Sequence, residues 1–246
     1  MNPIIELLRR HRSIRKFKPD PLTPEQIEAI LRAAQSASTS SNVQAYSVVN
    51  VTDPALRKKL RAVAADQAYV EQCPLFLVWC ADMYRLRLAC EKEGVRMVHD
   101  TMENFIVATV DTALAAQNAA VAAESMGLGV VYIGSIRNDA REVARLLNLP
   151  ELVYPVFGMC IGYPDQEPAL RPRLPLRAIL HENAYDPSAL PDAIDEYDET
   201  MRRYYAERTK GRRDTTWSKE MADKFRQPLR DYMRAFLEEQ GFRFER

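Results

Sequence analysis

The stretch from Thr101 to Met126 constrains the fold of this chain more than any other. It holds eight alanines and is apolar nearly all round, the pattern of a long helix with neighbours on most sides. Alanine combines high helix propensity with a side chain small enough for close backbone packing. The neighbours can come from a large monomer core or from a second subunit, and the sequence leaves both open. Asp111, Gln117, Asn118 and Glu124 interrupt the stretch, which makes it a poor membrane span. Gly127 and Gly129 end it.

Other elements gather around this helix. Ile4, Ile5, Leu7 and Leu8 recur with helical spacing and predict a first helix ending near Arg10. Thr23-Pro24-Glu25-Gln26 is a helix start, with a capping Thr, a Pro at the first position and a Gln three residues on, and that helix runs to about Ala37. Strands are expected at Tyr46–Val51, Phe76–Cys80, Val130–Ile133 and Val153–Ile161. Helices are expected from Pro54 to about Val63, Tyr84 to Glu93 and Asp139 to Leu147. With no clean β-α-β alternation, the fold class reads as α+β. After Ile161 the chain changes character. Tyr163 to Pro175 carries four prolines and reads as an extended arm. Two charged helices follow, about Leu190–Glu207 and Ser218–Gln240.

Composition narrows the function. Lys plus Arg and Asp plus Glu both total 34 in 246 residues, so the basic excess of a nucleic-acid binder is missing. Cys73, Cys80, Cys90 and Cys160 form no C-x-x-C pair and read as free thiols in a reducing cytoplasm. His11, His99 and His181 lie far apart without metal-ligand spacing. The N-terminus lacks a basic start followed by an apolar run, so a cytosolic protein, with neither nucleic acid nor membrane as partner, is expected.

Five features carry chemistry. His11-Arg12-Ser13-Ile14-Arg15 packs donors suited to a phosphate into a helix end, although a solvated basic turn has the same composition. Arg171-Pro172-Arg173 is a second basic group, partly stiffened by proline. Gly127 to Gly134 is glycine-rich, but its glycines follow a helix and precede a strand, the reverse of a dinucleotide-binding fingerprint. Gly134, at a strand end, would let a flat ring lie against the backbone. Thr39-Ser40-Ser41-Asn42, with Gln44 and Gln67, offers neutral donors and acceptors. Arg202 to Arg213 is a basic run that reads either as a solvated helix end or as a clamp for a nucleotide phosphate. Neither a Ser-His-Asp or Cys-His set nor a pair of catalytic carboxylates is readable, as befits an enzyme whose cofactor does the chemistry.

The order of these pieces resembles the nitroreductase superfamily, in particular its oxygen-insensitive NADPH nitroreductases and P-type flavin reductases. HRSIRKF from His11, SASTSSNVQAYSVV from Ser36, VFGMCIGYP from Val156, RPRLP from Arg171 and YYAERTKGRRDTTW from Tyr204 carry the likeness. The resemblance implies an antiparallel-rich sheet flanked by helices, in an intertwined homodimer holding two FMN molecules. It implies a core over residues 1–162, with 163–246 as an arm and C-terminal helices of the same domain wrapping the partner. His11, Ser13, Arg171 and Arg173 would bind the FMN phosphate with Arg12 close by, and Arg15 would be the cation beside the flavin ring. Thr39, Ser41 and Gln67 would meet the ribityl chain and ring edge. Tyr132, Ile133, Gly134 and Ser135 would form the strand end facing the ring, although the family commonly has a second glycine where Ser135 stands. Arg208, Arg212 and Arg213 would take the phosphate of NAD(P)H. The implied activity is ping-pong, two-electron reduction of nitroaromatics, quinones or free flavin. The rival is a flavin-binding or storage protein without catalysis.

Overall fold

Strand β2 (Leu75–Asp82) is buried along its whole length, and the rest of the fold is arranged on its two faces. A strand projects successive side chains to opposite sides. Leu75, Leu77 and Trp79 therefore enter one core cluster, while Phe76, Val78 and Cys80 enter another. Burying side chains of this size is worth about 1.5–3 kcal/mol each. The computed structural model describes residues 2–244. In it β1 (Tyr46–Asn50) and β4 (Val153–Gly162) flank β2, and β3 (Gly129–Ile133) pairs with β4. All three pairings are antiparallel, giving the order β1-β2-β4-β3.

Helices cover both faces. Ile30 and Ala34 of α2 (Pro24–Gln35) and five alanines of α6 (Met102–Ser125) pack against the Trp79 side. Leu60 of α3 (Pro54–Val63), Val70 of α4 (Tyr69–Gln72) and Val143 of α7 (Ala140–Leu146) pack against the Phe76 side. Helix α1 (Pro3–Arg9) starts at Asn2, whose side chain accepts from the Ile4 amide, and α5 (Tyr84–Lys92) follows β2. The capping box expected at Thr23 forms in both directions, at 3.2 and 3.0 Å.

Two features depart from the sequence reading. The alanine face of α6 is buried, but Met102, Ile106, Val110 and Leu114, four residues apart, form a stripe that is 44–48% exposed. By length and composition α6 could cross a membrane; here its alanine face is part of the core. The helix expected from Ser218 to Gln240 is two helices, α9 (Trp217–Phe225) and α10 (Met233–Glu239). Pro228 lies in the gap. It has no amide hydrogen to donate and disfavours a helical residue before it, and Arg230 takes a left-handed conformation at φ 57°.

The chain forms two compact units. One runs to Pro168 and resumes at Arg230, and the other is Ala169–Leu229. In the first, Phe236 and Leu237 of α10 join a cluster with Leu152 and Tyr154. In the second, Tyr197, Met201 and Tyr205 of α8 (Leu190–Thr209) form a small core with Trp217 of α9.

Candidate functional site

The segment after α1 lies on the outer edge of β3. Ser13 bridges Val130 in parallel, and the Ile14 amide donates to the Val130 carbonyl at 2.9 Å. Gly129 makes this approach possible, since a Cβ there would fall 2.5 Å from Cγ1 of Ile14. The buried Ile14 anchors the segment and leaves Arg15 exposed. His11, Ser13 and Arg15 are thus strung along one side of the strand that ends at Gly134. Nδ1 of His11 meets Oε1 of Glu124 at 2.6 Å. Arg12 is already engaged, donating to Glu167 and to the Pro168 carbonyl at 3.1 Å each.

The far end of β3 collects further polar groups. Helix α3 is followed by Ala65 and Asp66, both left-handed, a conformation that costs non-glycine residues of order 1–3 kcal/mol. This turn leads to Gln67, whose Oε1 accepts from the Ser135 hydroxyl at 3.0 Å. Two residues on, burial pushes the Tyr69 phenol above its usual range, and the Arg15 guanidinium beside it partly offsets this. Tyr132 donates to Gln117 at 3.1 Å, and burial raises its phenol, with Glu124 adding to the effect. Ile133 is 1% exposed and belongs to the core cluster with Phe76 and Val78.

Gly134 differs from the glycines around it. Gly129, Gly158 and Gly162 each face neighbours that a Cβ would strike at 2.5–2.8 Å. At Gly134 a Cβ would meet only the Arg137 guanidinium, at 3.5 Å, an ordinary contact. Its backbone is not left-handed either. Neither packing nor conformation within the chain calls for a glycine there.

Thr39 and Ser41 are organised separately. Ser41, Asn42 and Gln44 all have positive φ, and the loop is tied down by Asp111 of α6. That buried carboxylate accepts the Ser40 and Ala45 amides at 3.0 Å each. In the second unit Arg171 and Arg173 lie near Tyr197, whose phenol burial raises and the two arginines, Arg173 foremost, pull back. Tyr197 also donates to the Pro172 carbonyl at 2.9 Å. Arg213 is paired with Glu220 at 2.7 and 2.8 Å and stacks over Tyr205, while Arg208 is exposed and Arg212 reaches the Thr209 carbonyl. Among the described residues no cluster of three His, Cys, Asp or Glu side chains could hold a metal ion.

Residues 8–163 match the nitroreductase family model, and residues 171–245 match the model of that family's C-terminal domain. The chain belongs to the nitroreductase family. Among nitroreductase relatives, an FMN reductase (NADPH) of Bacillus subtilis is 43% identical over 98% of this chain and 99% of its own. An oxygen-insensitive NADPH nitroreductase of Salmonella typhimurium is 42% identical over the same shares. The solved NfrA2 structure from Bacillus megaterium superposes with a TM-score of 0.97 at 39% identity, covering both chains completely. The α+β reading and the nitroreductase resemblance are both borne out.

Three residues around this candidate site carry no motif in the sequence. Tyr69, beside Arg15, sits in a four-residue helix with no periodic signal. Glu124 meets His11 across 113 positions of sequence. Asp111 did leave a trace: it is the lone charge between Glu103 and Glu124 in an alanine-rich helix, and a buried charge needs partners.

Proposed function

We propose that this chain is an FMN-dependent NAD(P)H oxidoreductase that reduces nitroaromatics, quinones or free flavin two electrons at a time, by a ping-pong sequence. The observation that carries this is Gly134, a glycine with no internal reason, at the end of a strand with the His11–Arg15 segment along its outer edge and Gln67 and Ser135 at its far end. Relatives named as FMN reductase and NADPH nitroreductase, matched over nearly their whole length, support the same reading.

FMN suits this set of groups, offering a dianionic tail, a polyol and a flat ring. Bound FMN would supply the hydride-transfer chemistry between nicotinamide and acceptor. The chain's own residues bind and tune. His11 and Ser13 donate to the phosphate, with Arg12 held near them by Glu167. Arg171 and Arg173 enter through their motif, as do Arg208, Arg212 and Arg213 for the phosphate of NAD(P)H. Arg15, held beside Tyr69, supplies positive charge that favours the reduced, anionic state. Gln67 fixes the Ser135 hydroxyl, and Thr39 and Ser41 present polar groups from a braced loop to the ribityl chain and ring edge. The purified chain should be yellow and should bleach when NADPH is added without oxygen. A yellow protein that NADPH leaves coloured would make it a flavin carrier instead, and a colourless one would end the flavin reading.

The exposed α6 stripe of Met102, Ile106, Val110 and Leu114 supports a homodimer in which a second copy covers it, since contiguous apolar surface usually marks an interface. Light scattering should give twice the 28.2 kDa chain mass; a monomer at micromolar concentration would rule this out. Residues 1–162, with α10 packed on them, then form the flavin-binding core, and the arm with α8 and α9 embraces the partner. The four free cysteines suit a cytoplasmic setting.

A further inference from the structure

Glu124 sits where a carboxylate is poorly placed. It lies in the last turn of α6, a turn without any basic residue, and a negative charge at a helix C-terminus opposes the helix dipole at a cost of about 0.3–1 kcal/mol. Its side chain is only 12% exposed, so water does little to relieve it. Its close partner is His11, at 2.6 Å. The neighbouring Arg12 is taken by Glu167 and Pro168, and Tyr132 donates to Gln117 rather than to Glu124.

We propose that Glu124 is a positioning residue for the flavin phosphate and acts through His11. The carboxylate accepts a hydrogen bond from Nδ1, which fixes the ring and sends Nε2, across the ring, away from Glu124. The ring then stands between two partners, Glu124 at Nδ1 and the phosphate at Nε2. Carboxylates orient metal-binding histidines by the same means, through the nitrogen the ligand leaves unused. The inference rests on reading His11 as a phosphate ligand, and it adds the group that aims it.

Riboflavin, which is FMN without the phosphate, separates this role from a structural one. The full chain, stripped of flavin, is titrated with each compound. Glu124→Gln should weaken FMN binding about tenfold, because an ion-strengthened hydrogen bond is lost, and leave riboflavin binding within about twofold. In a His11→Ala background the same substitution should change FMN affinity by less than about twofold, the signature of two residues acting as one. Equal losses for the two flavins, tighter FMN binding in Glu124→Gln, or a full effect without His11 would each overturn the inference while sparing the site. An unaltered chain that binds FMN no better than riboflavin would overturn the phosphate site itself, and the inference with it.

Discussion

Replacing Gly134 with alanine should leave the fold intact and weaken FMN binding by a factor of roughly 10 to 100. The first half follows from the space inside the chain. The new methyl would sit 3.5 Å from the Arg137 guanidinium, an ordinary van der Waals contact, and the backbone there needs no left-handed conformation. The second half follows from what lies outside. A flavin ring held against the Gly134 backbone would leave little room for an added methyl, and overpacking of this kind costs about 1–3 kcal/mol. Gly129 is the control. An alanine there would place its Cβ 2.5 Å from Ile14 and push the His11–Arg15 segment off β3, so stability and flavin affinity should fall together. Equilibrium titration with FMN and a melting curve for each variant decide the matter. A Gly134→Ala protein that melts and binds like the parent would remove Gly134 from the floor of the site.

The contrast between these two glycines shows what a sequence can and cannot convey. Both stand in the run from Gly127 to Gly134, and the string of letters gives them equal weight. One is crowded by Ile14 from the other end of the domain and the other has the Arg137 guanidinium at ordinary contact distance, a difference that exists only after folding. Local physics was legible throughout. The capping box at Thr23 and the apolar run of β2 follow from interactions within a few residues. The α9–α10 break was legible too, since Pro228 stands in plain view inside the charged helix expected there. Pairings across long separations, such as His11 with Glu124 or Gln67 with Ser135, obey no local rule. For the residues of the site, family motifs supplied what spacing alone did not.

The largest loss of stability at the site is expected from Asp111→Ala. The residue is 1% exposed, and its carboxylate accepts two backbone amides, those of Ser40 and of the fully buried Ala45. Removing it strands both donors, at about 1–3 kcal/mol each, in a loop that already holds Ser41, Asn42 and Gln44 in left-handed conformations. The sum, about 2–6 kcal/mol, corresponds to a Tm lower by roughly 4–24 °C for a chain of this size. Asp111→Asn keeps one accepting oxygen and should fall between. The functional consequence is set by what the loop touches. Thr39 and Ser41 are assigned to the ribityl chain, which FMN and riboflavin share. Asp111→Ala should therefore weaken both flavins alike, measured well below the lowered Tm, where Glu124→Gln weakens FMN alone. A protein that melts within about 2 °C of the parent would mean that the two amides find other acceptors. Unchanged riboflavin affinity alongside a lowered Tm would mean that the strained loop braces the fold and leaves the flavin to others.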